Sequence, residues 1–269
     1  MNRTLKKTAK YIAIGGVFIA LAYFFPIAAI ALLLCGIWDV SRNRNLDAGI
    51  LRQYFLRNGV VTWLASPLNI LLDILALPYL NKGVYDIGDL PQAYQEDIRG
   101  LIKTADDSGL SERVERYMAA APRVMMFFKW YGRNVDSPIA MDEFHEKYKF
   151  VRTIGVSGFR ERENTSRHFG PFRPSLRVLY CLNSNVGEDS YIKVGPVENR
   201  WRDKRLFIFD DTLLHQSFNE TAGPRYVLFV DILRPSYVPF VFDFVVSVIR
   251  LVFRGMNGVF YKNWKLVKN

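Results

Sequence analysis

Arg205-Leu206-Phe207-Ile208-Phe209-Asp210-Asp211-Thr212-Leu213-Leu214-His215, answered downstream by Arg225-Tyr226-Val227-Leu228-Phe229-Val230-Asp231, decides how this 269-residue chain folds. Each half sets a short apolar run between turn-forming residues, which is the pattern of a strand. The same pattern recurs over residues 151–157, 176–182, 191–194, 206–209 and 226–233. Short strands so closely spaced predict a mainly β core, a sandwich or barrel, over residues 150–236. The chain has three histidines, and two of them lie beside these runs. His215 ends the first quoted segment, and His168 stands in Ser166-Arg167-His168-Phe169-Gly170-Pro171. His145, in Asp142-Glu143-Phe144-His145-Glu146-Lys147, reads as a solvated helical residue without a role.

Working outward, residues 39–149 read as a helical region, partly interfacial to a membrane. Residues 59–80 are apolar but contain Pro67, Asn69 and Asp73, polar groups costly in hydrocarbon, so an interfacial or protein-covered helix is expected there. Residues 91–105 and 111–131 read as two polar helices, with Val124-Met125-Met126-Phe127-Phe128 as core packing of the second. Beyond the barrel, residues 237–269 form an apolar helix and a basic tail. Asp243, Ser247, Arg250 and Arg254 recur at helical spacing as one narrow stripe. A crossing would need about 20 apolar residues, so an interfacial placement of residues 239–254 is preferred, with Lys262, Lys265 and Lys268 reaching anionic headgroups.

Residues 1–38 are expected to anchor the chain. Arg3, Lys6, Lys7 and Lys10 precede an uncharged run over residues 11–38. One tilted helix kinked at Pro26 accounts for that length, with a shallow hairpin as the alternative. The net charge of +10 fits an anionic partner, and since the basic residues flank apolar runs, that partner is a bilayer and not a nucleic acid. Cys35 and Cys181 do not make a disulfide framework, which fits a reducing, cytosol-facing compartment.

Imidazoles from two strand regions can converge on Fe, Zn, Cu or Ni. The usual non-haem iron pattern adds a carboxylate, often two residues after the first histidine, and here that position is Gly170. Two hydrogen-bonded histidines at a barrel mouth are the plainer reading. Arg225 opens an apolar strand, so its charge needs an anion, and a guanidinium suits a carboxylate. Arg177 stands similarly. A salt bridge to Asp210, Asp211 or Asp231 accounts for either arginine equally well.

Taken together and in order, His168-Phe169-Gly170-Pro171, Leu176-Arg177, Phe209-Asp210-Asp211-Thr212-Leu213-Leu214-His215 and Arg225-Tyr226-Val227-Leu228-Phe229-Val230-Asp231 resemble the aspartyl/asparaginyl β-hydroxylase family. The resemblance implies a double-stranded β-helix, or jelly roll, using Fe(II), 2-oxoglutarate and O2. It implies iron held by His168 and His215 alone, Arg225 clamping the distal carboxylate of 2-oxoglutarate, and Arg177 and Ser157 as further co-substrate contacts. Trp201, Asp210 and Asp211 read as structural or supporting. Leu179 departs from the protein hydroxylases, which carry another histidine there. The apolar flanks favour the branch containing the bacterial lipid A 2-hydroxylases. The expectation is therefore a dioxygenase at the bacterial inner membrane, its catalytic domain facing the cytoplasm, hydroxylating an acyl chain of lipid A or a related lipid at C2. Two alternatives stand beside it: a hydroxylase of aspartyl or asparaginyl side chains in proteins, and a non-catalytic membrane-anchored β-barrel binding module.

Overall fold

The computed structural model describes residues 12, 15–16, 19–20, 22–118, 121–145, 148–183, 186–253 and 264–267. Its twelve strands are β1 Val84–Tyr85, β2 Arg123–Trp130, β3 Arg133–Asn134, β4 Val151–Phe159, β5 Glu163–Asn164, β6 Ser175–Cys181, β7 Ser190–Val194, β8 Val197–Arg200, β9 Leu206–Phe209, β10 His215–Asn219, β11 Arg225–Leu233 and β12 Lys265–Val267. They form two sheets. The larger runs β1-β9-β6-β11-β4-β2-β12, with β3 hydrogen-bonded to β2, and the smaller runs β5-β10-β7-β8. From β4 to β11 the chain passes repeatedly between the two sheets, which is how a jelly roll is wound.

Alternation along the strands builds two apolar layers from one sheet. Leu228 and Val230 of β11, Val178 and Tyr180 of β6 and Ile154 and Val156 of β4 face one way. Against them pack Ile98 and Leu101 of helix Gln92–Asp107 and Val114 of helix Leu110–Met118. Val227 and Phe229, Leu179 and Cys181, and Phe207 and Phe209 face the smaller sheet. Because both faces are covered, all of β11 is buried. The expected strands are therefore present within one or two residues of their expected ends.

Two differences concern the boundaries of the β core. Residues 123–130 are strand β2, paired antiparallel with β4, where the sequence reads as the end of a helix. A strand buried on both faces is a continuous apolar run without the two-residue period, so it cannot be told from buried helix by pattern. The larger sheet also recruits β1 and β12 from outside residues 150–236, and β12 runs parallel to β2. Lys265 thus lies in a strand, while Lys262, Lys268 and Arg254 fall outside the described residues.

A helical layer covers one end of the barrel. It contains α1 (Pro26–Ser41), α2 (Ala48–Arg52), α3 (Val60–Leu64), α4 (Ser66–Leu75) and, after the barrel, α7 (Pro239–Val252), the helices Gln92–Asp107 and Leu110–Met118 being α5 and α6. Pro26 starts α1 after a non-helical Phe25, where the sequence predicts a kink within one helix. Among the described residues no helix is long and apolar enough to cross a membrane; of the expected anchor, residues 1–11, 13–14, 17–18 and 21 lie outside them.

Buried ion pairs fasten this layer to the barrel. Arg173, fully buried between Pro171 and Pro174, places Nη1 2.9 Å from Asp39 of α1 and 3.2 Å from Asp73 of α4. Its Nε lies 3.1 Å from Asp210 beyond β9. Arg42 adds pairs to both Asp39 and Asp73, and Arg234 lies 3.0 Å from Asp210.

Candidate active site

His168 and His215 meet because their backbones pair. His168 N–H donates to His215 O at 3.1 Å and His215 N–H donates back to His168 O at 2.9 Å. That antiparallel bridge sets the imidazoles side by side, with ring centroids 4.2 Å apart. Each Nδ1 has a main-chain carbonyl as partner, Ser166 O at 2.7 Å for His168 and Leu213 O at 2.8 Å for His215. A carbonyl only accepts, so both Nδ1 atoms carry the proton, and a neutral ring then keeps its lone pair on Nε2. Burial, then the neighbouring His168, hold the pKa of His215 well below the usual histidine value, so this ring stays neutral at pH 7.

Asp211 completes the picture. Its Oδ1 is buried, makes no hydrogen bond, and lies 3.4 Å from His215 Nε2 and 3.2 Å from Arg177 Nη1. A carboxylate oxygen facing a neutral nitrogen lone pair leaves two acceptors with no proton between them, which calls for a cation there. The donor set therefore fits a metal bound by two imidazoles. Among the described residues no group of three or more His, Cys, Asp or Glu is arranged to hold one. Gly170 explains why the usual carboxylate is absent. A Cβ on it would lie 2.2 Å from Asp211 Oδ2, so the carboxylate of Asp211 already fills that space.

All five residues named from the sequence, Ser157, His168, Arg177, His215 and Arg225, line one pocket between the sheets. Arg225 is 1% exposed, its Nη1 donates to Phe218 O at 3.0 Å, and its Nε is buried without a partner. No described carboxylate pairs with it; its neighbours are the rings of Phe159 and Trp201, 4.2 and 5.8 Å from the guanidinium carbon. Burial lowers its pKa to about 10, which leaves it charged at neutral pH and in need of an anion. Arg177 differs, because Asp231 at 2.6 Å and Asp211 at 3.2 Å hold its guanidinium over the Phe229 ring. Ser157 directs its hydroxyl at Val227 O, 3.4 Å away. His145 is exposed and not among the pocket residues.

The fold also brings here Trp201 and Asp211, which the sequence offers as structural or supporting residues, and Trp264, which it does not single out. Trp201 is a pocket wall beside Arg225. Trp264, from the segment before β12, meets Phe159 edge to face at 5.1 Å and lines the same pocket. Asp211, four residues before His215, approaches Nε2 of that histidine.

The walls between the charged groups are apolar, with Leu179, Ile192, Phe209, Val227 and Phe229 among them. The helical layer reaches the site through the residues adjoining both histidines. Phe169 and Leu214 are packed into one cluster with Val40, Ile50 and Tyr54.

Residues 123–235 match the model of a family described as Aspartyl/Asparaginyl beta-hydroxylase. The chain is 30% identical over 95 residues to an ornithine lipid ester-linked acyl 2-hydroxylase from Rhizobium tropici, covering 35% of this chain and 34% of that protein. It is 32% identical over 74 residues to an aspartate beta-hydroxylase domain-containing protein 2 from Rattus norvegicus, covering 26% and 21% respectively. The chain thus spans about a third or less of the curated relatives it matches. A solved oxidoreductase of the 2OG-Fe(II) oxygenase family from Burkholderia pseudomallei superposes with a TM-score of 0.31 at 10% identity, covering 48% of this chain and 80% of that one. The paired histidines, Arg225 and the strands that carry them all lie within residues 123–235, the span that matches the aspartyl/asparaginyl β-hydroxylase family model.

Proposed function

We propose that this protein is an Fe(II)- and 2-oxoglutarate-dependent dioxygenase that hydroxylates an acyl chain of a membrane lipid, lipid A or a related lipid such as an ornithine lipid, at C2. The observation that carries the reading is Arg225, a buried guanidinium without a carboxylate partner among the described residues, in the pocket that also holds two free imidazole lone pairs. Nε2 of His168 and Nε2 of His215 would hold iron(II), and Arg225 would take the distal carboxylate of 2-oxoglutarate, with Ser157 and Trp201 at its sides. The bound metal, co-substrate and dioxygen would supply oxidation of an unactivated C–H bond, with 2-oxoglutarate converted to succinate and CO2.

The protein's own part is ligation, orientation and exclusion of water. Carbonyls fix the ring tautomers, and the Asp231–Arg177–Asp211 chain holds a carboxylate beside the metal position. The apolar wall keeps bulk water from the reacting carbon. An acyl substrate is supported by that wall, by the apolar helices packed on Phe169 and Leu214, and by the activity named for the Rhizobium tropici relative.

Mass spectrometry of total lipids from cells producing the wild type or His215→Ala tests the reading. A gain of one oxygen on an acyl chain with the wild type alone is expected. Hydroxylated aspartyl or asparaginyl side chains with unchanged lipids would assign a protein substrate, and no product of either kind would leave a binding module. Arg225→Lys keeps the charge but loses the planar fork. Its KM for 2-oxoglutarate should rise about ten- to hundredfold, the scale of one or two charge-assisted hydrogen bonds. An unchanged KM would move the carboxylate site to Arg177.

A further inference from the structure

We infer that α1, α4 and α7 together form a docking face that enters one leaflet of an anionic phospholipid bilayer, with the helices lying in its plane. Every exposed residue of α4 and of α7 is apolar, and on α1 the one exception is Ser41 at its last position. Ile30 and Leu34, Leu71 and Ile74, and Phe244 and Val248 represent the three stripes. The stripes share one layer. Leu72 of α4 and Ala76 just after it pack with Phe242 and Val246 of α7, and Asn69 of α4 is 3.4 Å from Asp39 of α1.

The charges of these helices are arranged the opposite way from those of a water-facing surface. Asp39 and Asp73 are bound to Arg173 and Arg42, Asp243 to Arg152, and Arg250 donates to Tyr131 O at 2.7 Å. Each of the four charged residues on the three helices is thus tied to the body of the protein. The Asp243–Arg250 stripe fastens α7 to the barrel, which frees the rest of its circumference for lipid.

What covers the face follows from what it lacks. A protein–protein interface carries about one hydrogen bond per 100–200 Å². The outward stripes of α4 and α7 offer no side-chain donor or acceptor, a surface that suits hydrocarbon and leaves a protein partner's polar groups unpaired. The adjoining segment between α1 and α3 exposes Arg44, Arg52 and Arg57 against one exposed acid, Asp47, which complements anionic headgroups. The 16 residues of α1 and 14 of α7 measure about 24 and 21 Å, short of a hydrocarbon core of ~30 Å, so the helices lie in one leaflet. This docking does not depend on the reaction assigned to the pocket, and His215→Ala should bind lipid as the wild type does.

Residues before α1 are apolar too, so vesicle binding by itself would not test the face. Position-resolved quenching of the full chain does. Single cysteines replacing Leu71, Phe244 or Glu115, in a Cys35→Ala background, carry an environment-sensitive fluorophore; Cys181 is fully buried. The protein is bound to vesicles of phosphatidylglycerol and phosphatidylethanolamine containing lipids with a nitroxide near the headgroup or near the bilayer midplane. Labels at Leu71 and Phe244 should shift to the blue and be quenched more by the shallow nitroxide, while the label at Glu115 on α6 loses no intensity. Labels at 71 and 244 that behave like the one at 115 would overturn the face, and stronger quenching by the midplane nitroxide would overturn the in-plane placement. Equal binding to phosphatidylcholine vesicles would remove the anionic preference.

Discussion

Gly170→Asp is expected to abolish turnover, although it would complete the familiar histidine-x-carboxylate pattern after His168. A Cβ at Gly170 would meet Asp211 Oδ2 at 2.2 Å, Asp211 Cγ at 2.7 Å and the main-chain oxygen of Asp211 at 2.9 Å. The side-chain contacts can be relieved by rotating Asp211, but the main-chain one cannot. Gly170 N–H donates to that same oxygen at 2.8 Å, and the His168–His215 bridge lies on the same strand pair. Any side chain therefore pushes apart the backbones that set the two imidazoles side by side. Overpacking of this kind costs about 1–3 kcal/mol, more where backbone must move. The larger effect is on activity, since ~1 Å of misplacement around a reacting centre can lower rates about a hundredfold. Iron(II) titration calorimetry and succinate release would register the loss, and Gly170→Ala should share it. The swap Gly170→Asp with Asp211→Gly, which keeps one carboxylate in the same space, should recover part of the iron affinity. Full turnover by Gly170→Asp alone would show that the space is not filled as described.

That crowding marks where the sequence stops being legible. His168 and His215 could be picked out because they are two of three histidines and each stands beside a strand-like run, and Arg225 because it opens an apolar strand, where a charge needs a partner. β4, β6, β7, β9 and β11 were readable because turn residues bound each of their runs. β2 was not, since Val124 to Phe128 has no alternation when both faces of the strand are covered. β5, β8 and β10 are polar, and the ladder of the smaller sheet holds them more than any apolar face does. The filling of Gly170 by Asp211 is a property of strand register. Trp264 reaches the pocket only because β12 pairs parallel with β2, far from it in sequence.

Arg173 was illegible for the same reason, and its loss should be the most destabilising single change in the chain. Its partners Asp39, Asp73 and Asp210 come from α1, α4 and the turn beyond β9, so nothing near Arg173 in sequence announces them. Arg173→Ala would strand two almost fully buried carboxylates, Asp39 and Asp210, with fewer cations than they have now. Breaking a buried ion pair from one side costs ~3–5 kcal/mol, and since Arg42 and Arg234 remain, the lower end is expected. For a chain of this size that lowers Tm by roughly 10 °C. Arg173→Lys should fall between, because an ammonium cannot reach Asp39, Asp210 and Thr212 in one plane as the guanidinium does. The damage extends to the metal position. Asp210 accepts from Thr212 N at 3.0 Å and from Thr212 Oγ1 at 2.6 Å, and its carbonyl accepts from Leu213 N at 3.0 Å. Leu213 O in turn holds Nδ1–H of His215. Iron affinity should therefore fall with stability. The acid side gives a separate reading. Burial alone would raise the pKa of Asp210, but Arg234 and the bonds from Thr212 and Asn81 outweigh it and hold it below the usual carboxylate range. A lowered folded pKa contributes stability above the unfolded value of about 4 that is lost as pH falls through the folded one. Removing a cation from Asp210 raises the folded pKa, so acid unfolding of Arg173→Ala, followed by circular dichroism, should begin at higher pH than in the wild type. An unchanged Tm and acid midpoint would mean that Arg42 and Arg234 alone neutralise the cluster.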